Sequence, residues 1–90
     1  MLVGNVFYGR RFEAQFKNLP EALKKLAVKK DKLFRANPLH PSLRLHPLKG
    51  KLIGLWSISL TLNYRMIFKR MRNGDILFVS VGKHDLYASL

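Results

Sequence analysis

The sequence predicts an α+β fold in which one strand and two helices precede a three- or four-stranded antiparallel sheet. Three observations predict it: apolar residues at helical spacing between positions 10 and 34, alternation of apolar and polar residues from position 54, and the pair Asn73-Gly74 between two apolar runs. Because both kinds of element must bury an apolar side, the helices are expected to pack on one face of the sheet. With 90 residues, of which 48% are hydrophobic, the chain has apolar surface for one core, so residues 1–90 are predicted to be a single domain.

The first half of the chain is predicted to form a short strand and a helical hairpin. Residues 3–8, VGNVFY, are apolar enough for a strand, and residues 10–18 carry Phe12 and Phe16 four apart, on one stripe of a short helix. Pro20 suits the first turn of a second helix. The apolar residues that recur on one face of that helix are Ala22, Leu23, Leu26, Leu33 and Phe34. The lysines between them are interpreted as a solvated face.

The proline-rich segment after the second helix marks the change to extended structure. Three prolines within residues 38–47 forbid further helix and favour extended or turn geometry. The next segment, GLWSISLTL, predicts a strand with one buried face, because it alternates apolar and hydroxyl side chains. The predicted buried positions are Trp56, Ile58, Leu60 and Leu62, and the predicted solvent-facing positions are Ser57, Ser59 and Thr61.

The last two strands, YRMIFKRM and DILFVSVGKH, are predicted to form a hairpin. Asn73-Gly74 is the preferred pair for a two-residue type I′ turn, and with such a loop every cross-strand pair has residue numbers that sum to 147. One face should then lie against the helices and the other should carry the polar side chains. The expected pairs are Met66 with Val81, Phe68 with Val79 and Arg70 with Leu77 on the helix face, and Asn63 with His84, Arg65 with Gly82, Ile67 with Ser80 and Lys69 with Phe78 on the other face.

This register places Arg65 and His84 on one face as diagonal neighbours, about 7–8 Å apart. A phosphate would fit between them, because Gly82 opposite Arg65 has no side chain to fill the space. An arginine can hold a phosphate and neutralise charge that develops in a transition state. A histidine can exchange a proton near neutral pH. The pair therefore predicts phosphodiester chemistry without a metal, on RNA, whose 2′-hydroxyl is a built-in nucleophile.

Charge also indicates a polyanionic partner. Lys and Arg number 17 against five Asp and Glu, a formal net charge of +12. Such a surface attracts nucleic acid, although an anionic membrane surface or an acidic protein would also be attracted. The sequence contains neither a secretory signal nor an apolar run long enough to span a membrane, so a soluble, cytoplasmic protein is expected.

Several classes of chemistry are disfavoured by composition. Without cysteine there is no disulfide, no thiolate nucleophile and no cysteine-based zinc site. Few carboxylates are available for paired acid–base work, since three of the five are expected on the helices and Asp75 at the turn. His40, His46 and His84 lack a carboxylate at recognisable spacing, so no metal site and no cofactor are expected.

The motifs HPLKGKLIGLWSISLTLNYRMIFKR and ILFVSVGKHDLY, behind a short strand and a helical hairpin, resemble the RelE/ParE superfamily of bacterial and archaeal toxins from toxin–antitoxin operons. The resemblance spans nearly the whole chain and implies a RelE-like fold. Within the superfamily, the RelE, YoeB and YafQ branches cut messenger RNA, typically in the ribosomal A site, whereas the ParE branch poisons DNA gyrase. The resemblance therefore implies the toxin of a type II toxin–antitoxin pair, with an acidic antitoxin as partner.

The resemblance also implies roles for individual residues. Arg65 is similar to the arginine that contacts the scissile phosphate, and His84 falls where the YoeB and YafQ branches carry a catalytic histidine. His46, in HPLKG, is similar to a further functional histidine of the YafQ type, and Tyr87 to the aromatic residue that stacks on a base or assists catalysis. The residues expected to bind RNA are Lys49, Lys51, Lys69 and Lys83.

Two departures from the family pattern keep alternatives open. Trp56 and Ile58 stand at the approximate positions of the RelE lysines, and Ser59 and Asn63 stand near those of a second histidine and an aspartate of YafQ. The main expectation is a ribosome-dependent endoribonuclease that cleaves mRNA by attack of the 2′-hydroxyl. The alternatives are a ParE-like, non-enzymatic gyrase inhibitor and a catalytically degenerate member that only binds its antitoxin.

Overall fold

Two helices and five strands make up most of residues 1–83, the part of the chain that the computed structural model describes. Short 3₁₀ turns occupy Pro41–Leu43 and Gly50–Leu52. The main elements are β1 (Val6–Tyr8), α1 (Arg10–Lys17), α2 (Glu21–Ala36), β2 (His46–Pro47), β3 (Leu55–Ser59), β4 (Tyr64–Arg70) and β5 (Ile76–Lys83). The predicted order of elements and the α+β class are confirmed.

The sheet is larger than predicted and mixed. Its five strands lie in the order β1-β5-β4-β3-β2, in which β1 runs parallel to β5 and the other neighbours are antiparallel. The four strands that follow the helices, β2 to β5, are antiparallel neighbours, as predicted. Local patterning did not specify that β1 joins the same sheet, parallel to β5 at its edge.

The helices cover one face of the sheet as the apolar spacing predicted. Phe12 of α1 and Phe34 of α2 are buried, and the Phe34 ring packs against Phe68 and Phe78 with ring centroids 5.0 and 5.7 Å apart. Aromatic pairs at such distances add specific contacts to the burial of apolar area. The other buried members of this core are Leu19, Ala27, Leu43, Ile58, Leu60, Met66, Ile76 and Val81.

The β3 strand is buried on both faces, which corrects the prediction of one buried face. Ser57 and Ser59, expected toward solvent, are 0% and 6% exposed. Leu62, expected inside, is 72% exposed, because the strand ends at Ser59 and the chain turns before Leu62. The reason is the position of β3 in the sheet: it lies between β2 and β4, and the chain after β2 folds back across the face opposite the helices.

That second face has an apolar cluster of its own. Leu48 and Ile67 are buried there, with Leu52, Leu55 and Val79 packed against them. The segment of residues 48–52 thus covers the part of the face nearest the hairpin turn. The other half of this face, which carries polar side chains, is called the open face below.

The hairpin turn differs from the predicted type I′ turn. Gly74 N–H donates to the carbonyl of Met71 (3.0 Å), Met71 N–H donates to the carbonyl of Asp75 (2.7 Å), and Gly74 has a φ of 90°. The loop therefore has three residues, Arg72 to Gly74, the arrangement in which a glycine with positive φ follows a type I turn. This shifts the pairing next to the turn, where Phe68 faces Phe78 and Lys69 faces Leu77 instead of the predicted partners.

A β-bulge restores the predicted register at the other end of the hairpin. Between Ile67 and Phe68 the pairing shifts by one residue, which leaves Val79 of β5 without a partner in β4. Beyond the bulge Arg65 pairs with Gly82 and Met66 with Val81, so the sum of 147 is confirmed there. Val79 consequently belongs to the cluster on the second face, and the prediction that it faces the helices was wrong.

Candidate active site

The open face presents two rows of residues that run across the strands. In one row Arg65 of β4 lies between Ser59 of β3 and Gly82 of β5. In the next row His46 of β2 pairs with Ser57 of β3. Because neighbours at i and i+2 on a strand share a face, Ser57 and Ser59 place His46 and Arg65 on the same side of the sheet.

His46 and Arg65 lie on the same face of the sheet, two strands apart. They are separated by two strand spacings across the sheet and by two residues along it, which corresponds to about 12 Å between their backbones. The Arg65 guanidinium is turned toward the β3–β4 loop, where it contacts the carbonyl of Thr61. The structure thus places two of the four predicted catalytic residues on one face.

Arg65 makes hydrogen bonds to the β3–β4 loop, in addition to its predicted role in holding the phosphate. It is half-buried, and its Nη1 donates to the carbonyl oxygens of Thr61 (2.5 Å) and Tyr64 (3.1 Å) in the β3–β4 loop. The guanidinium has five N–H groups in a planar fork. These two contacts use one nitrogen, so Nε and Nη2 remain available for a phosphate as far as residues 1–83 are concerned.

His46 is exposed, and its tautomer follows from its contact. Its Nδ1 lies 3.0 Å from the carbonyl oxygen of Arg44. A carbonyl oxygen can only accept, so Nδ1 carries the proton and donates it to this oxygen. In the neutral ring Nε2 then has the lone pair, which is the form a general base requires.

The predicted RNA-binding lysines are distributed over different surfaces. Lys49 and Lys51 are exposed in the segment that crosses the second face, and Lys69 is exposed on that same face, opposite Leu55 and Leu77. Lys83 pairs with Tyr64, whose ring packs against the helix-side core. Lys83 is therefore not on the open face, as strand alternation also predicts.

His84 and Tyr87 lie outside the described residues. Their predicted roles, and the pairing of His84 with Asn63, stay predictions. What the structure does describe is the end of β5 at Lys83, three residues along from Ser80 and directly after the Arg65–Gly82 pair.

A pocket of about 280 Å³, with polar and apolar lining residues, adjoins the open face. It lies between the turn around Pro41–Leu43 and the β3–β4 loop, and it is called the Arg44 pocket below. Its lining residues are Ser42, Arg44, Ser59, Leu60, Thr61 and Leu62. No sequence motif singles out Arg44. The signal that could have found it is its position two residues before His46 in the same proline-rich segment.

A larger groove, of about 390 Å³, lies on the helix side of the molecule. Tyr8, Phe12, Phe16, Val28 and Met66 form much of its lining. None of the predicted site residues within the described part of the chain lines this groove. The residues with the predicted chemistry lie on the opposite face of the sheet.

Among residues 1–83, no group of three or more His, Cys, Asp or Glu side chains is placed to hold a metal ion. Within the same residues no helix is sufficiently long and apolar to cross a membrane.

Comparison with known proteins gives structural matches only. No protein-family model matches the sequence, and no curated protein matches it. YafQ from E. coli strain BL21(DE3) superimposes with a TM-score of 0.77 at 17% identity, covering 92% of this chain and 96% of YafQ. A YoeB/ParE toxin from Agrobacterium tumefaciens gives 0.74 at 13% identity, covering 90% of this chain and 99% of that toxin.

An archaeal relative agrees with these two. The RelE–RelB complex from Pyrococcus horikoshii OT3 contains a chain that matches with a TM-score of 0.69 at 17% identity, covering 88% of this chain and 92% of its own. Identities this low establish shared architecture, and the coverage shows that it extends over nearly the full length of each chain. The protein therefore has the fold of the RelE/ParE toxin superfamily, as the resemblance of its motifs predicted.

Proposed function

We propose that this protein is the toxin of a type II toxin–antitoxin pair and that it cleaves mRNA on the ribosome without a metal ion. The observation that carries the proposal is the placement of His46 and Arg65 on the same open face of a RelE-like sheet. The RNA-cleaving branches resemble this chain in the motifs that contain both residues.

The first chemical step is attack by the 2′-hydroxyl of the substrate on the adjacent phosphorus. His46 Nε2 takes the 2′ proton, which its contact with the Arg44 carbonyl favours by keeping the other proton on Nδ1. A lysine of the segment KGK, Lys49 or Lys51, is the alternative group for this step. The oxygen–phosphorus bond that forms closes a 2′,3′-cyclic phosphate.

The second part of the step is departure of the 5′-oxygen. Arg65 donates from Nε and Nη2 to the non-bridging phosphate oxygens as negative charge accumulates on them. His84 gives its proton to the leaving 5′-oxygen, and Tyr87 stacks on a neighbouring base. One proton is taken and one is given, so the products of this step are a 2′,3′-cyclic phosphate end and a free 5′-hydroxyl. Hydrolysis of the cyclic phosphate by water then gives a 3′-phosphate end.

The net charge of +12 supports a ribosomal site of action. Ribosomal RNA is a dense polyanion, and a basic protein gains affinity from counterion release when it binds there. The proposal includes a cytoplasmic location and an acidic antitoxin that folds on this surface. The archaeal neighbour was solved as a complex of RelE with RelB, which supports the antitoxin part.

The test compares His46→Gln with His40→Gln, since both histidines lie in the same proline-rich segment. His40 Nδ1 accepts from the N–H of Ser42 within the 3₁₀ turn. His40 does not belong to either row of paired residues on the open face. We expect His46→Gln to lower cleavage of mRNA on programmed ribosomes by about 10²-fold or more, as for removal of a general base. His40→Gln should leave it nearly unchanged. Equal activity of folded His46→Gln and wild-type protein would remove His46 from the mechanism.

Arg65→Ala and His84→Ala test the remaining groups in cells. Each should relieve growth arrest while the protein still folds, as checked by circular dichroism. Arg65→Lys is a further variant, because it keeps the charge but loses the planar fork whose Nε and Nη2 are proposed to hold the phosphate. Undiminished toxicity of folded Arg65→Ala and His84→Ala proteins would contradict the assignment.

The rival function is gyrase inhibition of the ParE kind, and one observation favours it. Ser59 and Asn63 replace a histidine and an aspartate of the YafQ pattern, so the chain has fewer acid–base groups than that branch. Incubation of the protein with gyrase and relaxed plasmid tests this directly. Inhibition of supercoiling without mRNA cleavage would establish the rival.

A further inference from the structure

We infer that the Arg44 pocket binds one nucleotide of the RNA substrate beside the scissile phosphate, with Arg44 as the ligand of that nucleotide's phosphate. The inference rests on the proposed ribonuclease function. It assigns a binding role to a residue outside the motifs that resemble the superfamily's catalytic set.

Each wall of the pocket is hydrogen-bonded to a predicted catalytic residue. On one wall the carbonyl of Arg44 accepts from His46 Nδ1 (3.0 Å). On the other wall the carbonyl of Thr61 accepts from Arg65 Nη1 (2.5 Å). Ser59, which lines the pocket, is the direct cross-strand partner of Arg65. The pocket therefore adjoins both residues, and the inference assigns to it the nucleotide next to the phosphate bound between them.

Arg44 is held in place by its backbone and its charge is not neutralised. Its φ of 48° lies in the left-handed region, which non-glycine residues adopt infrequently, and its N–H donates to the carbonyl of Pro41 (3.2 Å). Such backbone conformations persist where the surrounding structure enforces them, and they cluster at ligand-binding sites. The Arg44 side chain is exposed and has no ion pair with any residue among positions 1–83.

No carboxylate within the described residues lines the pocket. Asp31 is engaged with Arg35 on α2, and Asp75 accepts from the backbone of Asn5 near the hairpin turn. The pocket is therefore suited to an anion. An arginine with free donors is the side chain that best matches the oxygens of a phosphate.

The size and lining of the pocket suit a single nucleotide. A volume of about 280 Å³ is slightly below that of most small-molecule sites, which span about 300–1,000 Å³. Ser42 and Ser59 line it beside two leucines, of which Leu62 is 72% exposed. The Ser42 hydroxyl already contacts Lys30 Nζ (3.2 Å) and His40 Nδ1 (2.9 Å). The pocket thus combines apolar side chains for a base with a cation for its phosphate.

The test measures binding of a short single-stranded RNA that carries a 2′-deoxy nucleotide at the cleavage position, so that it binds without being cut. Arg44→Gln is compared with Arg72→Gln, an identical change at an exposed arginine in the hairpin loop, at the opposite end of β4 from Arg65. Fluorescence anisotropy over a range of KCl concentrations gives both the affinity and its dependence on salt. Michaelis–Menten measurements on programmed ribosomes accompany it.

We expect Arg44→Gln to weaken binding about tenfold and to reduce the slope of log K against log salt by about 0.7, the value for one phosphate contact on a single strand. KM should rise more than kcat falls. Arg72→Gln should change the affinity less than about twofold. Arg44→Lys should have the wild-type slope of log K against log salt, because it restores a positive charge at this position. If Arg44→Gln fails to fold, the comparison of Arg44→Lys with wild type still tests the phosphate contact.

Two outcomes overturn the inference, and one separates it from the proposed function. If Arg44→Gln matches Arg72→Gln in affinity and slope, or if Arg44→Lys loses the slope as Arg44→Gln does, Arg44 binds no phosphate. In either case mRNA cleavage by the wild-type protein would leave the ribonuclease assignment standing. If the wild-type protein binds RNA with an Arg44-dependent slope but cleaves no mRNA, the pocket stands and the ribonuclease assignment fails.

Discussion

Tyr8 shows how a single side chain attaches the first strand to the second helix. Its hydroxyl donates to the carboxylate of Asp31, and Arg35 Nη2 donates to the Tyr8 oxygen at 2.8 Å. Burial, and secondly the bond to Asp31, raise the pKa of Tyr8 above its ordinary value. The strand β1 has only three residues, and this network adds to its parallel pairing with β5 in fixing its position.

The raised pKa of Tyr8 predicts a pH-dependent contribution to stability. Because the unfolded chain ionises Tyr8 at a lower pH than the folded protein does, the contribution is complete below about pH 10 and is lost as the pH rises through the folded pKa. We expect Tyr8→Phe to reduce the free energy of unfolding by about 1 kcal/mol at neutral pH. The difference from wild type should shrink above pH ~10.

Urea denaturation at pH 7 and pH 11 measures this difference. Tyr64→Phe is the control, since the Tyr64 hydroxyl makes no hydrogen bond to another of residues 1–83. Its change in stability between the two pH values reports the general effect of alkaline pH, including deprotonation of the lysines. A Tyr8→Phe difference that stays constant or grows at high pH would contradict the predicted linkage.

At the residue scale, the sequence predicted which helix residues are buried better than it predicted which segments cover the strands. The apolar spacing correctly identified Phe12 and Phe34 as core residues, because a helix has one buried stripe whatever it packs against. It misplaced Ser57 and Ser59, since alternation shows that a strand has two different faces but not that a distant segment covers the second. The proposed role of Arg44 could not be predicted from a motif, because it depends on the residues that line the pocket around Arg44.

At the scale of elements, the β4–β5 hairpin depends on one glycine with positive φ. We expect Gly74→Ala to lower the free energy of unfolding by about 1–2 kcal/mol, because an L-residue is strained at a φ of 90°. Gly9→Ala is the matched control: Gly9 has a φ of −75° and an added methyl would make only ordinary contact, 3.5 Å from the carbonyl oxygen of Phe78. Thermal or urea unfolding measures both, and equal effects would contradict the turn assignment.

Helix α1 is attached to the β-bulge by one amide side chain. Gln15 Oε1 accepts from the hydroxyl of Ser80 (2.8 Å) and from the N–H of Val81 (2.9 Å), next to the unpaired Val79. Ser80 is fully buried, so loss of this acceptor leaves polar groups unsatisfied. The bulge is what restores the register that aligns Arg65 with Gly82.

We therefore expect Gln15→Ala to destabilise the protein by about 2 kcal/mol, the cost of unsatisfied buried donors. Lys17→Ala, at an exposed position of the same helix, should cost less than about 0.5 kcal/mol. Chemical denaturation gives both values, and a Gln15→Ala effect no larger than that of Lys17→Ala would show that water replaces the amide at the bulge.

The hairpin also explains how far sequence could predict the site. Asn73-Gly74 correctly predicted a turn, but the pair is compatible with a two-residue loop and with a three-residue loop that ends on a glycine of positive φ. The three-residue loop and the bulge each shift the register by one, in opposite senses, so the predicted Arg65–Gly82 pair is correct although the pairs nearer the turn were not. Neither shift has a sequence signal that stands alone.

At the scale of the whole molecule, the dominant property is the net charge of +12. It predicts that affinity for single-stranded RNA falls steeply with salt, with a slope of log K against log salt of about −0.7 for each phosphate contacted. Titrations between low and physiological salt measure it, with a neutral polymer of similar length as the control. An affinity independent of salt would show that the charge does not contact the RNA backbone.

The central claim is that the open face uses the substrate's own 2′-hydroxyl to cut mRNA. Its most direct test is cleavage of mRNA on programmed ribosomes, with and without a single 2′-deoxy nucleotide at the cleavage position, followed by analysis of the product ends. The account predicts cleavage of the all-ribose message into 2′,3′-cyclic or 3′-phosphate ends and none of the 2′-deoxy message. Cleavage of both messages alike, or of neither, would contradict it.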